Sequence, residues 1–159
     1  MLKKRLLILF LAGGSAVLLD RITKIWAVNN LKGEPSTSYW DDFFRLVYAE
    51  NTGAFLSLGS GLDDNWRTVL LSILPILVLL YVLYVILFSK QLGTWQATAF
   101  SLILGGGASN IVDRIMEGKV VDFMNMGLFG VRTGIFNIAD MAIMAGLFMM
   151  LFAMFRNKA

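Results

Sequence analysis

Two aspartates, Asp122 in "VVDF" and Asp140 in "FNIAD", stand beside apolar runs of this 159-residue chain. A carboxylate at the edge of a membrane-length apolar stretch is costly to ionise, so it needs a chemical reason to be there. Two carboxyls held close together cannot both ionise comfortably and share a proton. One can then take a proton from water while the other gives one to a leaving group. That is aspartic-peptidase chemistry, and it needs no histidine, cysteine or metal. Other roles fit the same residues. Asp122 could cap a turn and Asp140 a helix N-terminus, where the dipole favours negative charge. The pair could also be oxygen ligands of a cation.

The chain has no cysteine and no histidine. Disulfides, iron–sulfur clusters, thiol nucleophiles, Ser-His and Cys-His triads and most zinc sites are thereby removed. No Ser-x-x-Lys spacing supports a Ser-Lys peptidase. We expect neither cofactor nor metal.

Further polar groups gather near the ends of apolar runs. In "GGGASNIVDR", Asn110, Asp113 and Arg114 follow an i, i+3, i+4 pattern and share a helical face. Asp113 and Arg114 also suit an ordinary interfacial ion pair. Gly106 and its neighbouring glycines, with Ala108, permit close helix packing. A nucleotide-binding loop would need a lysine after the glycines. In "LLDRITKIW", Asp20 and Lys24 are spaced to pair along one helix, a structural role. In "ENTGAF", Asn51 and Gly53 suit a turn, although an asparagine amide could also hold a substrate backbone. Asn137, three residues before Asp140, can orient it by a hydrogen bond.

The elements that must position these groups are membrane helices. Apolar residues make up 57% and charged residues only 16% of the chain, with a mean hydropathy of +0.70. Residues 68–89 and 91–112 carry no charge at all, each about the 20 residues that cross a bilayer. We expect one membrane domain over residues 1–159, with four transmembrane helices near 5–28, 67–89, 92–113 and 134–155. Residues 29–66 and 114–133 would lie outside the cell membrane. The alternation of Phe44, Leu46 and Tyr48 predicts a strand. "KVVDFMNM" and "LFGVRTG" predict one or two more, giving a small outer sheet. The start, "MLKKRLLILFLAGGSAVLL", also has the form of a cleavable secretory signal, but an uncleaved first helix leaves a more coherent four-span chain. Placing both termini in the cytoplasm puts Lys3, Lys4, Arg5, Lys90, Arg156 and Lys158 inside and all eleven acids outside, as positive-inside topology requires. The net charge of +3 then reflects topology, and no nucleic acid partner is implied. Trp26, Tyr39, Trp40 and Trp66 fall near the outer boundary, as an aromatic belt does.

Taken together, "DRITK", "NTGAF", "GGGASNIVDR", "VVDF" and "FNIAD" resemble, in order and spacing over nearly the whole chain, the lipoprotein signal peptidase (signal peptidase II) family. The resemblance implies an all-α membrane bundle of four transmembrane helices with a small extracytoplasmic β-sheet, the β-cradle. It implies an aspartyl endopeptidase of the bacterial inner membrane that cuts diacylglyceryl-modified prolipoproteins before the lipid-modified cysteine. Asp122 and Asp140 would be catalytic. Asp20, Lys24, Asn51, Gly53, Gly106, Asn110, Asp113, Arg114, Asn137 and Ala139 would bind substrate or support the pair. Globomycin-type cyclic peptides would inhibit, membrane lipids would surround the bundle, and a monomer is expected. Two positions depart from the family's usual pattern. Phe55 follows Ala54 directly where a second alanine is usual, and Ser109 stands where glycine is usual, a change that would bear on substrate fit. The segment from Asn51 to Leu58 would cover the site. An ion or proton carrier, or a non-catalytic scaffold, are the rival readings. A carrier would need polar groups through the full membrane depth, yet the cytoplasmic halves of these spans are apolar.

Overall fold

The computed structural model describes residues 2–53 and 69–156. Helix α1, Leu2–Leu31, is 30 residues long and contains a π-helical turn at Leu9–Gly13. At 1.5 Å per residue it reaches about 45 Å, well beyond a hydrocarbon core of about 30 Å. That length leaves turns to spare, and the last ones carry other structure. Helix α2 is Val69–Phe88, α3 is Thr94–Glu117 and α4 is Ile138–Arg156.

Among the described residues, α1, α2 and α4 are long and apolar enough to cross a membrane. Helix α3 has the length, at 24 residues, but its threonines, serines, glutamine, asparagine and glycines lower its hydropathy. The reason is its position. Gly105 faces the backbone of Gly13 in α1, Gly106 the carbonyl of Ala139 in α4, and Gly107 the side chain of Leu79 in α2. Successive residues point about 100° apart, so this glycine run turns one bare surface to each of three helices. A Cβ at Gly105 or Gly106 would strike backbone. Helix α3 packs against the three other helices along this run, and small residues serve that contact. The outward faces of the others are apolar and exposed, as at Phe10, Tyr81 and Phe148.

Two helix boundaries differ from expectation. Helix α3 runs on to Glu117 and stops at Gly118, whose φ of 71° closes the helix with an N–H bond to the Arg114 carbonyl. Helix α4 starts at Ile138 rather than near 134, because Phe136 is held extended by backbone bonds to Met124. Asp140 therefore sits in the first turn of α4, not one or two turns in. At the opposite end, the buried Arg5 donates to the carbonyls of Ser89 at 2.5 Å and Leu92 at 3.0 Å, satisfying carbonyls beyond the end of α2.

The sheet has four antiparallel strands in the order β1-β2-β3-β4. Strand β1, Thr37–Tyr39, lies outside the segments whose patterns predict strands. Strand β2 is Phe44–Asn51, β3 Val120–Leu128 and β4 Val131–Arg132. Asp122 is the third residue of β3, near the start of the strand. Val121, Phe123 and Met124 of the sheet pack with Ala27 and Leu31 at the projecting end of α1. Trp26 meets Phe123 edge-on, with ring centres 6.4 Å apart. This seam fixes the sheet, and Asp122 with it, over the helix bundle.

Candidate active site

Register brings the first aspartate its partner. Asn51 pairs with Val120 and Ala49 with Asp122 across β2 and β3. The Asn51 amide donates to Asp122 Oδ2 at 2.9 Å. Its own oxygen accepts the Gly53 N–H at 2.9 Å, so Asn51 makes the expected turn and also serves the site. Asp122 is 2% exposed. Burial pushes its carboxyl up to about 6, with the Asp140 charge adding to the rise and the bonds from Asn51 and Asn137 working against it.

Helix entry brings the second. Asn137 caps α4: its Oδ1 accepts the Asp140 N–H at 2.9 Å, and Asp140 Oδ2 accepts the Asn137 N–H at 3.2 Å. This reciprocal pair is a capping box built from asparagine and aspartate. It leaves the Asn137 Nδ2 free to turn the other way, and that group donates to Asp122 Oδ1 at 2.6 Å. One fully buried carboxamide thus touches both aspartates.

Behind the pair lies a charged cluster. Lys24 is 3% exposed. Its ammonium approaches Asp20 Oδ2 at 2.6 Å and donates to Asp113 Oδ2 at 2.7 Å and Asn110 Oδ1 at 2.8 Å. Three donors meet three acceptors. Because Lys24 occupies the Asn110 oxygen, the Asn110 nitrogen faces outward and donates to Asp140 Oδ1 at 2.8 Å. Asp20 also accepts the Ala139 N–H at 2.9 Å, placing a carboxylate on the first-turn amides of α4. Gly106 clears the room for that turn, since a side chain there would strike the Ala139 carbonyl.

Two expectations are corrected. Asp113 and Arg114 do not pair with one another. Successive residues diverge on a helix, and Asp113 turns to Lys24 and to Arg21, whose guanidinium lies 2.7 Å from Oδ1. Arg114 instead donates to the Gly53 carbonyl at 2.9 Å. Ser109, whose bulk was expected to bear on substrate fit, turns into the bundle. It is 2% exposed and donates to Asp20 Oδ2 at 2.6 Å. Arg21 was not singled out, because the helix facing it could not be read from local spacing. Ala54 to Leu58, expected to cover the site, lie outside the described residues.

A cavity of about 530 Å³ opens between α2, α3 and α4, lined by Leu74, Val78, Leu79, Ile103, Ile143 and Leu147, with Asn110, Arg114 and Asp140 also in its wall. The Arg114 Nε is buried without a hydrogen-bond partner among the described residues. A buried donor without a partner invites an acceptor from a bound molecule. All four oxygens of Asp122 and Asp140 already face N–H donors. Among the described residues no cluster of three or more acidic side chains is placed to hold a metal ion.

Residues 13–156 match the family model for signal peptidase (SPase) II. The chain is 40% identical to the lipoprotein signal peptidase of Pelodictyon phaeoclathratiforme, with 89% of this chain and 85% of that one aligned. It is 36% identical to the lipoprotein signal peptidase of Psychromonas ingrahamii, over 88% of this chain and 80% of the relative. A bacterial membrane enzyme solved in meso at 2.3 Å superposes with a TM-score of 0.83 at 26% identity, covering 95% of this chain and 89% of that one. Motifs, the placement of the aspartates, fold and relatives agree: this chain belongs to the signal peptidase II family.

Proposed function

We propose that this chain removes signal peptides from prolipoproteins, with Asp122 and Asp140 as its catalytic pair. The observation that carries the reading is the Asn137 carboxamide, which donates to the buried Asp122 carboxyl and accepts the backbone N–H of the half-buried Asp140, a residue in the wall of an apolar cavity. A signal peptide is an apolar helix ending in a polar cleavage point, and the cavity offers an apolar slot with polar groups in its wall. One aspartate, ionised, takes a proton from water as the oxygen attacks the scissile carbonyl. The other, protonated, supplies the proton that the leaving amine needs, and the pair ends with its proton exchanged. Arg114, whose Nε has no partner among the described residues, holds a substrate carbonyl. Asn110 and Asn137 fix the carboxyl planes.

In this reading all four helices span the bacterial inner membrane, both termini are cytoplasmic and the sheet lies outside. The distribution of lysine and arginine supports that orientation. The placement of the aspartates at the sheet end of the bundle suits a substrate cut at the outer leaflet. The substrates are diacylglyceryl-modified prolipoproteins cut before the modified cysteine. The enzyme works as a monomer, and globomycin-type cyclic peptides occupy the same cavity. The apolar cytoplasmic halves weigh against an ion carrier, and retention of both aspartates weighs against an inert scaffold. The test is cleavage of one prolipoprotein with and without its diacylglyceryl group, products being weighed by mass spectrometry. Cutting of the modified form alone, directly before the cysteine, is expected. Equal cutting of both forms, or a cut elsewhere, would refute the assigned specificity.

A further inference from the structure

Outside the helices, every large apolar side chain that is exposed among the described residues lies in one of two turns, 39–43 and 126–131. Trp40 is 76% exposed and Phe129 95%. The two turns are neighbours. The Gly127 N–H donates to the Phe43 carbonyl at 2.8 Å, and Arg132 donates to the Asp42 carbonyl at 2.8 Å and to its carboxylate at 2.9 Å. Arg45 and Ser38 also bond the Asp42 carboxylate. Trp40, Asp41 and Asp42 have φ of 54°, 52° and 69°, and Phe129 has φ of 50°. Four non-glycine residues in the left-handed region are a strained arrangement.

In water this arrangement is doubly unfavourable, since the strain presents aromatic rings to solvent. Against a bilayer interface the exposure becomes favourable. Tryptophan and tyrosine settle at headgroup depth, and phenylalanine and leucine reach below it. The charges agree with that neighbour. Asp42 is bound to Arg45 and Arg132, and with the exposed Asp41 beside them the two acids and two arginines of these turns balance in charge. The sheet is already fixed to the projecting end of membrane helix α1 through Ala27, Leu31 and the Trp26–Phe123 contact. We propose that the two turns, led by Trp40 and Phe129, insert into the lipid interface and give the strand that bears Asp122 a second membrane anchor. Six residues of extended chain, about 20 Å, separate Asp122 from the tip.

The proposal rests on the reading that the helices span a bilayer, and the experiment separates the two. The chain has no cysteine, so Phe129→Cys, Trp40→Cys, Glu34→Cys and Phe148→Cys each give a single nitroxide site. The labelled proteins are reconstituted in vesicles of phosphatidylethanolamine and phosphatidylglycerol, and collision with oxygen is compared with collision with a water-soluble nickel chelate. Labels at 129 and 40 should show an oxygen-to-nickel ratio several-fold above that at 34 and below that at 148 in mid-α4, as interface depth requires. A ratio at 129 equal to that at 34, with 148 in lipid, overturns the proposal. Spin–spin broadening between labels at 129 would also overturn it, by showing a second copy on this surface. A water-exposed 148 would refute the spanning reading and take the proposal with it.

Discussion

Asn137 touches both aspartates, and replacing it separates its two duties. Serine at this position keeps an oxygen that can cap α4 but removes the amide that donates to Asp122. Alanine removes both. Loss of an N-cap costs about 1 kcal/mol, and a buried carboxylate oxygen left without its donor costs about 1–3 kcal/mol. Asn137→Ala should therefore lose about 2–4 kcal/mol of stability and Asn137→Ser about 1–3, read from unfolding in detergent. The catalytic loss should exceed the stability loss. The contacts of Asn137 run to Asp140, Asp122, Asn110 and Val121, so kcat should fall about 100-fold, as expected when reacting groups lose their registration, with KM nearly unchanged. The pH profile gives a further readout. The Asn137 bond lowers the Asp122 carboxyl against a burial effect that holds it at about 6. Its removal should move the acid limb of the activity profile upward. The same sign governs stability: a carboxyl raised on folding favours the folded state most at low pH, and that contribution fades as pH rises from about 4 through 6. If Asn137→Ser cleaves within about threefold of wild type with an unmoved profile, the bridge does not organise the pair.

Lys24→Met strands the buried carboxylates of Asp20 and Asp113 and releases Asn110. It should cost about 3–5 kcal/mol, visible as a large fall in melting temperature, whereas an unchanged melting point would deny the cluster its structural role. Ser109→Ala removes one hydrogen bond to a charged group and should cost about 1.5–3 kcal/mol while leaving specificity among prolipoproteins intact. Gly106→Ala should reduce cleavage more than tenfold, because the new methyl meets the Ala139 carbonyl at the entry to α4. Retained activity there would show that the helix shifts without disturbing Asp140.

Much of this site was legible because its signals are local. The i, i+4 spacing of Asp20 and Lys24 and the three-residue step from Asn137 to Asp140 describe contacts that the structure contains. The alternation in Phe44 to Tyr48 gave β2 correctly. Non-local facts were hidden. Asp113 turns away from its neighbour Arg114 because Lys24 arrives from another helix. Ser109 turns to Asp20 for the same reason. Strand β1 escaped notice because three exposed residues carry no alternation. The start of α4 was misjudged because the pairing of Phe136 with Met124 competes with helix. Helix α3 illustrates the mixed case: its glycines announce close packing, but only the assembled bundle shows that each faces a different partner.

The most direct test of the catalytic assignment is single-turnover cleavage of a diacylglyceryl-modified prolipoprotein in vesicles by the wild type, Asp122→Asn and Asp140→Asn. Asparagine keeps the shape and removes the exchangeable proton, so binding should survive while each variant loses nearly all cleavage. Normal cleavage by either variant, or an inert wild type with bound substrate, would contradict the aspartate pair as the source of the chemistry.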